Sequence, residues 1–432
     1  MTPLLISIIA VVMFLVFLFL NMRIGVALLL SGFIGFVLLR GFVPAVSMLV
    51  INSWGQVASF SLAVIPMFIL MGYFATYSGI TKDLFTACYR WIGNFRGGLG
   101  YVTIITSALV NMFCGSATAT TATIGTVCYP EMIRYNYKPL PSAAIIASSS
   151  AYGLMIPPSI GFILYCTMAN LSVGKMFAAG IVPAVIIVIL ACVTVAIMAK
   201  RDPDSMPAGE KFSWKQKLSS LKGVIAFAIL VVFMLGGIFT GFFSPSEGGA
   251  IGAAGSFIIM LVRGKAKPSI IWRCLRDTAK TTGMIFILMI GASNFGKLLA
   301  MTQMPHILAR SLAGWEAGFM VIWVVIFVYI VLGMAIDTLP LITILTPIFI
   351  PLIEVMGWDP LWFGNIMVMC MLLGLISPPD GIPVYIMSNI SGQPLMKCFG
   401  ACVPFFIMLC IVLIVMVYVP QLSTWLPIFV GA

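Results

Sequence analysis

Four short segments of this 432-residue chain carry groups that can bind ions, and they form two matched pairs. The run Gly115-Ser116-Ala117-Thr118-Ala119-Thr120-Thr121-Ala122-Thr123 sets hydroxyls into an otherwise apolar stretch. Its counterpart, Gly333-Met334-Ala335-Ile336-Asp337-Thr338, has a carboxylate where the first run has Ser116. The second pair is Ile156-Pro157-Pro158-Ser159 and Ser377-Pro378-Pro379-Asp380. Glycine and Pro-Pro interrupt helices, and each interruption frees carbonyls and hydroxyls to ligate a cation. It also aims the positive N-terminal end of a half-helix at an anion. Taken singly, a Ser/Thr run is often helix packing and a proline only a kink. Asp337 is the sharper case, because a carboxylate in an apolar segment is expensive and marks function by default. The geometry expected is two cation sites flanking one anion site, from Gly115, Ser116, Thr118, Gly333, Asp337 and Thr338 for the cations. Ser78, Thr120, Pro157, Pro158, Ser159, Asn294, Ser377, Pro378, Pro379 and Asp380 are the candidates for the anion.

The elements that hold these groups must lie in lipid. Hydrophobic residues make up 62% of the chain, charged residues 8%, and the mean hydropathy is +1.16. A soluble domain carries about 25% charged residues. A span takes about 20 apolar residues, which leaves room for about ten to twelve. Met1 to Leu20 lacks a basic leader and a cleavage site, so it reads as the first span. The net charge of +11 sits in short loops, where topology already calls for it, and implies no nucleic-acid partner. Ten cysteines without a C-x-x-C pair and one histidine, His306, give no zinc site and no Cys-His catalytic pair. An enzyme therefore lacks its parts.

The chain also repeats itself. A shift of 221 places Pro130 on Pro351, Pro139 on Pro360, Ile145 on Ile366, Gly153-Leu154 on Gly374-Leu375 and Pro157-Pro158 on Pro378-Pro379. Phe68 to Gly72 resembles Phe286 to Gly291 at nearly that shift. The polar centre Thr76-Tyr77-Ser78-Gly79 suggests a re-entrant hairpin over 61–95, matched by a second over 281–312. Each half then holds five spans and one hairpin, so the halves are inverted. The expected fold is all-α and polytopic, with two inverted repeats and interrupted helices, a signature of secondary transporters. A mobile unit of 61–170 and 279–396 would move against a scaffold of 1–60, 171–278 and 397–432. Matched breaks suit alternating access better than a continuous channel.

Basic residues set the orientation. With 200–222 in the cytoplasm, Arg23, Arg134, Lys138, the 263–280 cluster, Arg310 and Lys397 join it. Arg40, Lys82, Arg90, Arg96 and Lys175 remain outside, with Lys297 at a hairpin tip and both termini in the periplasm.

Several of these pieces together resemble the large membrane subunit of tripartite ATP-independent periplasmic (TRAP) transporters. They are Ile65-Pro66 to Gly72, Arg96-Gly97-Gly98, Gly115-Ser116-Ala117-Thr118-Ala119, Ile156-Pro157-Pro158-Ser159-Ile160, Pro245-Ser246-Glu247, Asp337 with Pro347 and Pro351, and Gly357-Trp358-Asp359-Pro360. The resemblance covers essentially the whole chain. It implies an elevator-type carrier in the bacterial inner membrane, driven by sodium (Na+) and importing a small organic anion. It also implies two partners, a small four-helix membrane subunit and a soluble periplasmic substrate-binding protein. Ser116 and Asp337 match positions the family uses around its sodium ions. Thr120 stands where the family commonly has an acid, and Asp380 where it usually has an apolar residue. A stand-alone sodium- or proton-coupled carrier of similar architecture is the alternative.

Overall fold

The computed structural model describes residues 1–304, 307, 318–379 and 381–430, and these are helical with no strand among them. His306, Arg310, Asp380 and much of the second arm of the expected 281–312 hairpin lie outside the described residues. The helices are α1 (Pro3–Phe19), α2 (Ile24–Arg40), α3 (Phe42–Val57), α4 (Val64–Tyr77), α5 (Ile80–Ile92) and α6 (Gly98–Cys114). Then come α7 (Ala117–Arg134), α8 (Pro139–Tyr152), α9 (Ile160–Ala169), α10 (Val173–Arg201), α11 (Trp214–Phe239) and α12 (Pro245–Val262). The last are α13 (Pro268–Met301), α14 (Gly318–Gly333), α15 (Thr338–Met356), α16 (Pro360–Leu375), α17 (Ile382–Ser391) and α18 (Leu395–Tyr418). Among the described residues seven helices are long and apolar enough to span a membrane, eight spans if α4 and α5 count as one. Beside them stand shorter apolar helices of 10–17 residues, α1, α2, α3, α6 and α16 among them.

Packing sorts the helices into two bundles. In the first, α4 lies on α12, α13 on α2, and α5 on α11. Glycines make these seams close. Gly249 and Gly252 of α12 face Met67, Phe68 and Met71, while Gly25, Gly32 and Gly35 of α2 face Ile287, Phe295 and Leu298. In the second bundle α6 and α7 pack on α8, α17 crosses α7 and α8, α15 lies on α9, and α14 on α16. Helices α10 and α18 complete it. In this packing 61–95 and 279–301 lie against α2, α11 and α12, with α5 also touching α6, while α10 and α18 lie against α6, α8 and α16. Small-residue seams, invisible to a reading of helix breaks, decide this.

The hairpins also fall elsewhere than expected. Leu99 N–H donates to the Tyr137 hydroxyl (3.2 Å), so the start of α6 meets the end of α7. Gly97 N–H donates to Met206 O and Lys138 N–H to Ser205 O, which stands both feet on one turn. Helices α6 and α7 are therefore a hairpin with its apex at Gly115-Ser116, where Gly115 takes φ +63°. In the second half the Tyr329 and Phe349 rings lie 5.3 Å apart. Twenty residues of straight helix would separate them by about 30 Å, so α14 and α15 also fold back on each other, with Asp337 at the turn.

The segments 61–95 and 281–301 take other forms. Helices α4 and α5 meet at a 66° bend, and α5 then runs beside α11. Arg90 donates to Gln216 O and Trp91 Nε1 to Lys217 O. Helix α13 passes unbroken through Lys297 to Met301, so Lys297 is no hairpin tip.

Helix α10 serves as a ruler between the two ends. Lys138 pairs with Asp202 (2.6 Å) at its Arg201 end, where the first hairpin has its feet. The Tyr165 hydroxyl donates to Pro360 O (2.7 Å) just past the second hairpin, at the Val173 end. The two hairpins open toward opposite ends. Contacts with 206–217 also bring Arg90, Arg96 and α5 with its Lys82 to the Arg201 end, rather than to the far side. The basic asymmetry is thereby stronger than the sequence reading made it.

Candidate functional site

Both hairpin apices reach one cavity of about 390 Å³. The second bundle contributes Cys114, Gly115, Ser116, Ala119, Thr123, Ile160, Asp337 and Leu339. The first bundle closes it with Tyr73, Thr76 and Tyr77 of α4 and Thr281 and Met284 of α13. The cavity therefore lies on the seam between the bundles.

Each apex is built the same way. Ser116, in extended backbone, caps α7 and accepts from Ala119 N–H (3.3 Å). Asp337 caps α15 and accepts from Thr338 N–H (2.7 Å). A cap residue satisfies one of the free N–H groups at a helix start, and the remaining dipole favours negative charge nearby. Asp337 is itself exposed to the cavity space.

The breaks after α8 and α16 buttress the apices. Asn111 Nδ2, one turn before Gly115, donates to Ser150 O (2.6 Å), and Gly153 packs against the Asn111 side chain. In the other half Gly374, the repeat partner of Gly153, packs against the backbone of Gly333. Neither glycine has room for a side chain. Ile160, the residue after Ser159, packs on Gly115.

Several buried oxygens around the first apex lack a protein donor. Among the described residues Asn111 Oδ1 and Ser159 Oγ have no hydrogen-bond partner, and the Thr120 hydroxyl meets only the Cys114 thiol. A hard cation takes oxygen ligands of this kind, and a buried polar atom without a partner calls for an explanation. Sequence reasoning missed Asn111, although a single amide in an apolar helix four residues before Gly-Ser was a usable signal.

The other candidates divide. Thr118 is half-buried beside the first apex, and Gly333 and Thr338 flank the second. Pro157 and Pro158 are buried while Pro378 and Pro379 are exposed, and both Pro-Pro bonds are cis. Ser377 is buried and donates to Leu373 O (2.6 Å). Ser78 and Asn294 are not in the two-apex cavity. Ser78 lines a basic pocket at the Arg201 end, and Asn294 is buried where α13 meets α2, donating to Ile290 O.

The same overall fold occurs in the Alcanivorax borkumensis YdaH transporter, with a TM-score of 0.63, 14% identity and 90% of each chain covered. The likeness is one of fold: a helical chain with several apolar helices. Residues 11–422 match the family model described as the DctM component of tripartite ATP-independent periplasmic transporters, and the chain belongs to that family as a large membrane subunit. It is 32% identical over 378 residues to the "C4-dicarboxylate TRAP transporter large permease protein DctM" of Pseudomonas aeruginosa, covering 86% of this chain and 87% of that one. The "Sialic acid TRAP transporter large permease protein SiaM" of Vibrio cholerae is 28% identical over 385 residues, covering 87% and 88%. The "Isethionate TRAP transporter permease protein DctMQ" of Oleidesulfovibrio alaskensis is 31% identical over 378 residues, covering 85% of this chain and 58% of its own.

Proposed function

We propose that this chain imports a small organic anion across the bacterial inner membrane by sodium-coupled secondary transport, as the large subunit of a TRAP transporter. The observation that carries the reading is the meeting of Ser116 and Asp337 in one cavity on the seam between two bundles. Sodium is the coupling ion. Gly115, Ser116 and Thr118, joined by Asn111, Thr120 and Ser159, would hold it at the first apex. Gly333, Asp337 and Thr338 would hold it at the second. Bound sodium supplies positive charge beside two helix N-termini, and the anion is drawn to that combined field.

Support for the substrate class comes from the relatives, whose names specify a C4-dicarboxylate, sialic acid and isethionate. All three are small acids. The oppositely opening hairpins support inverted repeats, and the seam supports an elevator motion of the second bundle along the first. The moving unit is then about 97–201 with 318–418. The basic Arg201 end is cytoplasmic by the distribution of Lys and Arg, with both termini periplasmic.

The partners are a small membrane subunit, separate or fused as in the longer DctMQ relative, and a periplasmic binding protein. The deciding experiment is reconstitution in liposomes with an inward sodium gradient. Uptake should require the small subunit and the loaded binding protein, and should stop when the gradient is collapsed. Full-rate uptake by this chain alone would favour the stand-alone carrier instead.

A further inference from the structure

At the Arg201 end of the first bundle lies a second, larger pocket of about 760 Å³. Lys82, Lys222, Arg263 and Lys265 line it with a single acid, Asp83. Arg263 holds the walls together. Its guanidinium donates to Asp83 (2.6 Å), to Ser78 O (3.4 Å) and to Gly223 O, joining the end of α12 to α5 and α11. This pairing neutralises Asp83 and, among the described residues, leaves three lysines without an acid; Lys82, Lys222 and Lys265 are all exposed. Ser78 and Gly79, at the start of α5, also line the pocket. No side chain caps that helix start, so its free N–H groups add positive potential.

The rest of the wall is apolar. Ala226, Ile258, Ile259 and Val262 line it, and Ile258 and Val262 are 57% and 83% exposed. A basic rim above an exposed aliphatic wall, at the end of membrane helices, matches a molecule with a phosphate head and hydrocarbon tails. A soluble phosphate would use the rim and leave the wall bare.

We propose that this pocket binds an anionic phospholipid, its headgroup phosphate held by Lys82, Lys222 and Lys265 and its acyl chains laid along Ile258 and Val262. Arg263 is a positioning residue that keeps α5, α11 and α12 in register around the headgroup. The pocket shares no lining residue with the two-apex cavity.

The test uses the full chain purified in detergent and titrated separately with phosphatidylglycerol, phosphatidylcholine and inorganic phosphate, with bound mass read by native mass spectrometry. Wild type should retain phosphatidylglycerol in preference to phosphatidylcholine. The triple variant Lys82→Gln, Lys222→Gln, Lys265→Gln should lose that preference by about tenfold or more. Lipid-free melting should be unchanged, because Arg263 and Asp83 remain. Should the triple variant not fold, Val262→Asp, which puts a charge on the tail wall alone, is measured instead and should weaken phosphatidylglycerol retention similarly. Equal retention of both lipids by wild type, or binding of inorganic phosphate without lipid, overturns the proposal. Undiminished preference in a folded variant overturns it as well.

Discussion

Ser116 and Asp337 stand 221 positions apart in the chain, yet each caps the helix that leaves a hairpin apex, and both face one cavity. The sequence register that aligns them is thus also a spatial relationship. One cap is a hydroxyl and the other a carboxylate, so the two ends of the site differ in charge while sharing a backbone design.

Asp337→Asn and Ser116→Ala are therefore expected to weaken sodium dependence without unfolding the protein. A lost cap costs about 0.5–2 kcal/mol, too little to undo a fold of this size. The sodium concentration for half-maximal uptake should rise about tenfold or more, the scale on which disturbed ligand shells weaken metal sites. A sodium titration of uptake decides it, and two unchanged curves would remove these residues from the site.

The first hairpin makes a distance prediction. Thr103 Oγ1 lies 3.8 Å from Met132 Sδ across α6 and α7, whereas a straight broken helix would put them about 40 Å apart. In a background without other cysteines, Thr103→Cys with Met132→Cys should cross-link with mercuric ion or copper phenanthroline. Absence of the cross-link in a folded double variant would refute the hairpin.

Orientation can be read by labelling. Ser205 and Ser423 are natural choices by residue type, but both are buried, whereas Asp204 and Gln421 nearby are exposed. A cysteine at Gln421 should react with an impermeant thiol reagent on intact spheroplasts. One at Asp204 should react only after the membrane is opened. The reverse pattern would invert the proposed topology.

Gly374→Ala tests the buttress of the second apex. The new Cβ would press on the Gly333 backbone, which has no side chain to move aside. Overpacking of this kind costs roughly 1–3 kcal/mol. The melting temperature and the uptake rate should both fall, and wild-type values for both would mean that the apex has slack there.

Much of this was legible beforehand, and the reasons are physical. Gly115-Ser116, Pro157-Pro158 and Pro378-Pro379 each interrupt a helix in the structure as expected, because missing N–H groups and left-handed backbone act locally. The direction in which the chain leaves a break is not local. Thr76 to Gly79 read as a hairpin centre because it is polar, but it is polar where α4 reaches the basic end and meets Arg263. Helix α5 is apolar on one face and charged on the other, which fixes a helix but not its partner. Its contacts with Trp214, Gln216 and Lys217 place it beside α11. Asn111 stands among apolar neighbours that hide it in the sequence, although its amide ties the first apex to Ser150.

The unequal exposure of the two Pro-Pro breaks has a thermodynamic consequence. Pro157 and Pro158 are covered while Pro378 and Pro379 are open, so two copies of one design occupy different environments at the same moment. Under the proposed motion the opposite arrangement covers the second break and opens the first. Burial lost at one break would then be offset at the other, which would keep the two arrangements near in free energy. A poised equilibrium of this kind tilts under modest ligand bias, since about 5.5 kcal/mol of differential binding carries a population from one percent to ninety-nine. Sodium and the anion would not have to force the protein open. They would choose between two halves already matched in weight.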